Sequence, residues 1–431
     1  MNSRAVPRGP TYRRTLGAFS NVDFRMLWGA NCTAYVSRWM QITTLSWFVL
    51  IQTDSALLVS MVGFFAMLPY LVAGIFGGLL ADNVNKKHLV VATQLTNFAG
   101  AAIMSLLLIL GTVQYWYAYF AVLVPGLSWA LDMPSRRAII LELMGPRGLT
   151  NGIALDSVGM HASKMIGPAL GGAMIALAGV SGAYVLLSGI MTVGCILILR
   201  VSHTTPLSRE GKSSNVKRRS LVSTLLRVLD NVKEGFTYVY SNSIIMCVVV
   251  TTIFMNLLLF PYMQMVTVIS KNVLAVGPLL MGVLMASDGL GALFGSFTIA
   301  SRPSISYHGK VFLYGSIFSL IALLFFALSE WYLLSLVLLL VLGFGSAGFG
   351  TMQSTIVLLV ADEKIRGRTL GVVTLAIGAS PLGALFVGIM ADIFSPAMAL
   401  TINALLGIIA VTLTGFFFPS IKGRTLTSSR L

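Results

Sequence analysis

Charge is scarce in this sequence. Asp, Glu, Lys and Arg make up 10% of its 431 residues, whereas an average soluble domain carries about 25%. So few polar side chains cannot cover a water-facing surface, which excludes an ordinary soluble globular protein. Cysteine is scarcer still. Cys32, Cys195 and Cys247 lie far apart inside apolar runs, which excludes a disulfide framework or a thiolate metal site. They read as small packing residues. The phosphate loop GxxxxGK[ST] is absent, no His/Asp/Glu group has metal-ligand spacing, and the segments between apolar runs are too short for a catalytic domain. An enzyme is therefore not expected, nor a cofactor or a metal.

What the chain has is apolar sequence, 56% of its residues. Apolar runs long enough to cross about 30 Å of hydrocarbon occur at 27–51, 57–80, 89–111, 113–131, 152–178, 183–199, 244–269, 277–300, 311–329, 331–352, 370–391 and 397–418. Backbone polar groups cannot stay unpaired in lipid, so each run is expected to be helical. A β-barrel would alternate apolar and polar residues, and these runs do not.

Basic residues exceed acidic ones, 29 to 14, and their placement is one-sided. Arg4, Arg8, Arg13, Arg14 and Arg25 precede the first run, Lys86 and Lys87 follow the second, and Arg136, Arg137 and Arg147 follow the fourth. Further groups follow the sixth, eighth, tenth and twelfth runs, and Lys271 alone falls on the other side. The positive-inside rule makes the basic side, with both termini, cytoplasmic. Residues 1–26 contain no apolar core of a cleavable signal and read as a cytoplasmic tail.

The expected organisation is a tail at 1–26, a six-helix bundle at 27–200, a basic linker at 201–243, a second six-helix bundle at 244–418, and a tail at 419–431. Within the linker, "SREGKSSNVKRRS" precedes an amphipathic stretch, "LVSTLLRVLDNVKEGFTYVY", expected to lie on the inner leaflet against anionic lipid. Nucleic acid is not an expected partner. The halves echo one another: "GPALGG" at 167–172 parallels "SPLGAL" at 380–385, and "GPRGLTNG" at 145–152 parallels "KIRGRTLG" at 364–371. Transporters are often built from such repeats, with the substrate near mid-membrane between them.

Three segments carry a resemblance. "GGLLADNVNKK" at 77–87 presents Gly78, Asp82, Lys86 and Lys87; "WALDMPSRRAIILELM" at 129–144 presents Asp132, Pro134, Arg136 and Glu142; "SVGMHASKMIGPALGG" at 157–172 presents Gly167, Pro168, Gly171 and Gly172. With "DEKIRGR" at 362–368, they make the chain resemble the major facilitator superfamily, and within it the bacterial exporter branch that includes enterobactin and macrolide exporters. The resemblance spans about Phe24 to Phe418. It implies an all-α membrane protein of twelve transmembrane helices in two six-helix bundles related by pseudo-two-fold symmetry. It also implies a latch at Gly78, Asp82, Lys86 and Lys87, a cytoplasmic gate at Asp132, Arg136, Arg366 and Arg368, and a helix-packing motif at Gly167, Pro168, Gly171 and Gly172. The pattern departs at Asn83, which replaces a basic residue, and at His161 and Lys164, which replace Asn and Arg. The helix-4 arginine of proton-coupled drug antiporters is missing from 118–131. Proline is expected to stop helix 4 at Pro134.

Within the apolar runs only Arg38, Asp156, Lys164 and Asp288 are charged. Each costs about 2.5–3.5 kcal/mol at a helix centre, so each is a functional candidate. Arg38 either binds a substrate anion, with Trp39 and Gln41 beside it, or pairs with a carboxylate. Asp288 either exchanges a proton or forms a permanent pair with Arg38 or Lys164, since a carboxylate in hydrocarbon resists ionisation without a nearby cation. Asp156 lies about one turn into its helix. His161, one turn before Lys164, either packs or relays protons.

The function expected is secondary active transport by alternating access. Export of a bulky amphipathic compound such as a siderophore, macrolide or other drug by proton antiport leads; uptake of a nutrient and a non-transporting scaffold are the alternatives. A monomer in the bacterial inner membrane is expected, with a small molecule, protons and lipid as partners.

Overall fold

In this computed structural model the described residues are 16–83, 85–202, 233–302, 305–363 and 365–424. The side chains of 72–83, 146 and 147 also lie outside the description. Apolar runs with almost no charge leave the backbone no partner but itself, and among the described residues the chain forms twelve rods and no strand. They are α1 (Val22–Thr53), α2 (Ala56–Asn83), α3 (Lys86–Ile109), α4 (117–144), α5 (146–178), α6 (180–199), α7 (Ser243–Asn272), α8 (Pro278–Ala300), α9 (His308–Ala327), α10 (Tyr332–Val360), α11 (Arg366–Ile393) and α12 (Pro396–Phe417). Most of the linker, including the start of the amphipathic stretch, lies outside the described residues; 233–241 is helical.

The boundaries between α4, α5 and α6 rest on two glycines. Tyr117–Leu199 is helical except at Gly145 (φ 63°) and Gly179 (φ 70°), whose non-helical backbone is where the chain turns. A positive φ costs glycine little and strains any other residue, so the hairpins sit where the sequence supplies them. In α7 a π-turn at Met255–Leu259 precedes Pro261, with the Phe260 amide donating to the Met255 carbonyl at 3.0 Å. The proline ring cannot sit over a carbonyl four residues back, and the wider turn relieves the clash. In α11 a similar break falls at Gly378–Ala379, ahead of Pro381.

One expectation is corrected. Pro134 does not stop α4, which continues through it to residue 144. Losing one hydrogen bond costs less in a membrane than unwinding a turn into unpaired polar groups. Consequently α4 carries a buried carboxylate and a buried arginine, Asp132 and Arg136, that the sequence had placed in a loop. The tryptophans at span ends also divide: Trp116 and Trp331 are exposed, whereas Trp47 is buried in the core.

The halves meet through glycine. A Cβ on Gly172 of α5 would lie 2.4 Å from the Pro278 carbonyl oxygen and 2.8 Å from the Gly282 Cα of α8, so the backbones touch. Small residues permit such approach, and dispersion holds it. On another face of α5, Gly167 packs on Val36, Trp39 and Met40 of α1, and Gly171 on Met40 and Thr44. The Pro168 carbonyl lies against Gly282. The four motif residues thus lock α5 to α1 within one half and to α8 of the other.

Candidate functional site

Buried charge gathers at three places. The first is a network inside the N-terminal half. The Arg136 guanidinium donates to Asp132 Oδ2 from Nε (3.0 Å) and Nη2 (2.8 Å), to Gln94 Oε1 (3.0 Å) and to Asn31 Oδ1 (2.7 Å). Thr93 Oγ1 donates to the same Asp132 oxygen at 2.9 Å. Asn31 passes the chain on, its amide donating to Asp156 Oδ1 at 2.8 Å, and the Tyr35 hydroxyl donates to Asp156 Oδ2 at 3.0 Å. Asp156, expected near the aqueous end of its helix, is buried. Helices α1, α3, α4 and α5 are therefore tied by charge-assisted bonds, each stronger than a neutral one.

The second place is Arg38, 8% exposed. Its guanidinium lies 4.8 Å from the ring centre of Trp129 on α4, and its Nη2 makes only a long contact, 3.9 Å, to Met67 Sδ. No described carboxylate pairs with it. Neighbouring Gln41 donates its amide to the Ala121 carbonyl (3.0 Å) and the Tyr184 hydroxyl (3.3 Å), bracing α1 to α4 and α6. Arg38, Gln41, Gln94, Asn97, Trp129 and Asp132 line a common, partly open cavity.

The third place lies between the halves. Lys164 Nζ of α5 stands 2.5 Å from Asp288 Oδ2 of α8, and Asp288 is 2% exposed. Of the two pairings open to Asp288 in the sequence, the structure has the one with Lys164. Trp39 contributes its ring face to the Lys164 ammonium at 5.8 Å. Asp288 also faces a smaller cavity with Tyr262, Met263, Val266, Met285 and Leu339. His161 is half-buried one turn away and makes no hydrogen bond or ion pair with a described residue.

The remaining candidates lie at the end of the bundle where the described residues begin and end, near residues 16 and 424. Lys86 Nζ meets Glu142 Oε1 at 2.5 Å, and Lys87 donates to the Val201 carbonyl. Arg366 donates from Nε to the Ala361 carbonyl at 2.9 Å, and Arg368 pairs with Glu234. None of these contacts joins one half to the other. Gly78 and Asp82 fall where side chains lie outside the described residues. At the opposite end the halves are bridged: Lys271 Nζ meets Asp54 Oδ1 at 2.9 Å, and Asp392 Oδ1 accepts from the Leu57 amide at 3.2 Å. Lys271 holds the Asp54 carboxyl below the usual aspartate range by hydrogen bond and charge.

Neutral partners were not singled out from sequence: Asn31, Tyr35, Thr93, Gln94 and Trp129. A signal existed for two of them. Asn31, Tyr35 and Arg38 recur at helical spacing on one face of an apolar run, a polar stripe that must face protein.

The comparisons with known proteins agree with this architecture. Residues 14–430 match the family described as transmembrane secretion effector. The chain is 27% identical over 413 residues to the multidrug efflux pump Tap of Mycolicibacterium fortuitum, covering 93% of this chain and 96% of that one. It is 22% identical over 391 residues to the staphyloferrin A transporter of Staphylococcus aureus, covering 89% and 92%. A solved bacterial homolog to the human lysosomal transporter Spinster, inward-facing and occupied, aligns with a TM-score of 0.71 at 14% identity over 94% of this chain and 97% of that one, a likeness of fold. A matched family over nearly the whole chain, twelve helices in two halves, and buried charge between them make this protein a member of the transmembrane secretion effector family of the major facilitator superfamily, a multi-pass membrane transporter and not an enzyme.

Proposed function

We propose that the protein is an exporter of the bacterial inner membrane, with both termini cytoplasmic, that moves a bulky amphipathic organic compound outward by alternating access in exchange for protons. A siderophore, a macrolide or another drug is the class of cargo; relatives named for drug efflux and for a siderophore support that class. The proposed orientation follows from the basic residues that precede the first span and follow the even-numbered ones. The described bridges at the opposite end then mean closure on the outer side.

The Lys164–Asp288 pair carries the reading. Its partners belong to different halves, so rocking one half against the other must pull them apart. An unpaired buried carboxylate is costly, several kcal/mol after relaxation, by the general rule for buried ions. Taking up a proton removes that cost, so opening the interface is linked to protonation of Asp288. A proton entering down a 100 mV potential supplies about 2.3 kcal/mol.

The test is efflux from vesicles containing the purified protein, under an imposed pH gradient. The gradient should accelerate efflux of a macrolide or siderophore, and Asp288→Asn should abolish the acceleration. Efflux indifferent to the gradient, with Asp288→Asn as active as the parent, sinks the assignment.

A further inference from the structure

We infer that the cavity inside the N-terminal half is an anion site, built around Arg38, for a carboxylate that carries a neighbouring hydroxyl. It is separate from the ion pair between the halves. The argument is one of unused bonding capacity.

A guanidinium has five N–H donors in a planar fork. Arg136 commits its fork to Asp132, Gln94 and Asn31. Arg38 is buried almost as deeply, yet among the described residues no oxygen accepts from it. Buried charges in proteins are ordinarily paired. Of the described carboxylates nearby, Asp156 is held by Asn31 and Tyr35 and Asp132 by Arg136 through Oδ2, and neither pairs with Arg38. The missing acceptor therefore comes from outside the chain. Trp129, its ring centre 4.8 Å from the guanidinium carbon, lines the cavity with Arg38, and a bidentate carboxylate is the shape that matches the planar fork.

Two more atoms define the ligand. Asn97 lines the cavity, its Oδ1 accepting from Ser128 at 2.9 Å, while its amide nitrogen meets no described acceptor. That nitrogen is a second donor for an anion. Asp132 also lines the cavity, and all its bonds converge on Oδ2, leaving Oδ1 buried without a partner. An ionised carboxylate oxygen only accepts, so it calls for an O–H on the ligand. Two donors and one acceptor around one space select a hydroxycarboxylate over a plain acid, and an acid over its amide.

As a statement about cargo this rests on the exporter reading; as a statement about binding it does not. The experiment is therefore calorimetry on the full chain in lipid nanodiscs, without a gradient, using mandelate and the isosteric neutral mandelamide. Mandelate should bind at least about tenfold more tightly, the weight of one charge-assisted hydrogen bond. Phenylacetate, lacking the hydroxyl, should fall between them. Arg38→Gln should bring mandelate down to the amide's level, and Arg38→Lys should restore part of the difference, keeping charge without the fork. Should Arg38→Gln fail to fold, Asn97→Leu and the unmodified protein decide: Asn97→Leu should weaken mandelate about threefold or more and leave mandelamide unchanged. Equal binding of acid and amide, or full mandelate affinity in Arg38→Gln, overturns the site. Mandelate binding without gradient-driven efflux would leave the site standing and remove the exporter reading. Export of neutral cargo alone, with no acid preference, would do the reverse.

Discussion

Replacing Lys164 by methionine should cost more than replacing both members of its pair. Lys164 is 15% exposed and Asp288 2%, so solvent screens their interaction weakly. Removing the cation alone leaves Asp288 uncompensated, a change that costs about 3–5 kcal/mol in buried pairs. Methionine fills much of the volume of lysine, so little of the loss is a cavity. Asp288→Asn alone strands the ammonium, but Lys164 has Trp39 beside it and a longer reach, so about 1–3 kcal/mol is expected. The double variant removes both charges and replaces ionic groups by neutral ones of similar size, a swap that is often neutral or stabilising. It should lie within about 1 kcal/mol of the parent, giving an interaction energy of roughly 3 kcal/mol or more in the double-mutant cycle. Reversible unfolding in mixed micelles, titrated with dodecyl sulfate, measures all four proteins. If the two single effects simply add, the pair carries no coupling and the mechanism built on it is wrong.

Gly172→Val should force α5 and α8 apart, because its Cβ would meet the Pro278 oxygen at 2.4 Å; overpacking of this kind costs about 1–3 kcal/mol, read in the same unfolding titration. Arg136→Lys keeps the charge but gives up bonds to Asn31, Gln94 and Asp132, so a loss of about 2–4 kcal/mol is expected from charge-assisted bonds, seen as a lowered melting temperature in detergent. The Asp54–Lys271 bridge should be insensitive to pH from 8 to 5 and weaken in acid. Its carboxyl has a lower pKa when paired than when free, so the bridge favours closure above the free value of about 4 and loses that contribution as pH falls through the paired value. Spin labels at Gln52 and Val273 should report a wider distance only at the acid end, and Asp54→Asn should erase the acid step.

The helices were legible because hydrocarbon leaves so few choices: a run of twenty apolar residues must be helical, and glycines mark the reversals. The motif at 167–172 was legible as a packing surface for the same reason. Charges within apolar runs also announced themselves, and Arg38, Asp156, Lys164 and Asp288 all proved buried or nearly so. Their partners were not legible. Which cation faces Asp288 depends on how α5 and α8 are brought together by Gly172 and Gly282, and no local pattern encodes a contact between distant segments. Asp132 and Arg136 were misplaced for a different reason. Hydropathy ends where charge begins, and Pro134 reinforced that boundary, but a helix can run on when its charges satisfy each other one turn apart.

The distribution of polar contacts constrains how such a molecule can move. In the N-terminal half the buried charges of α1, α3, α4 and α5 are bonded to one another, and in the C-terminal half Gln353 of α10 donates to Thr252 of α7 at 2.8 Å. Breaking either set would strand buried polar groups, so each half is expected to move as a body. Between the halves, α5 and α8 meet by bare backbone at Gly172 and Gly282, which can separate without leaving a donor unpaired. The described ionic contacts across the interface are two, and they differ in what separation costs them. Asp54 is exposed and Lys271 partly so, and both can be rehydrated at once, whereas Asp288 is buried and cannot. The electrostatic cost of parting the halves therefore concentrates on one carboxylate, and in the mechanism proposed above a proton or a cationic group that relieves it would set when the interface opens.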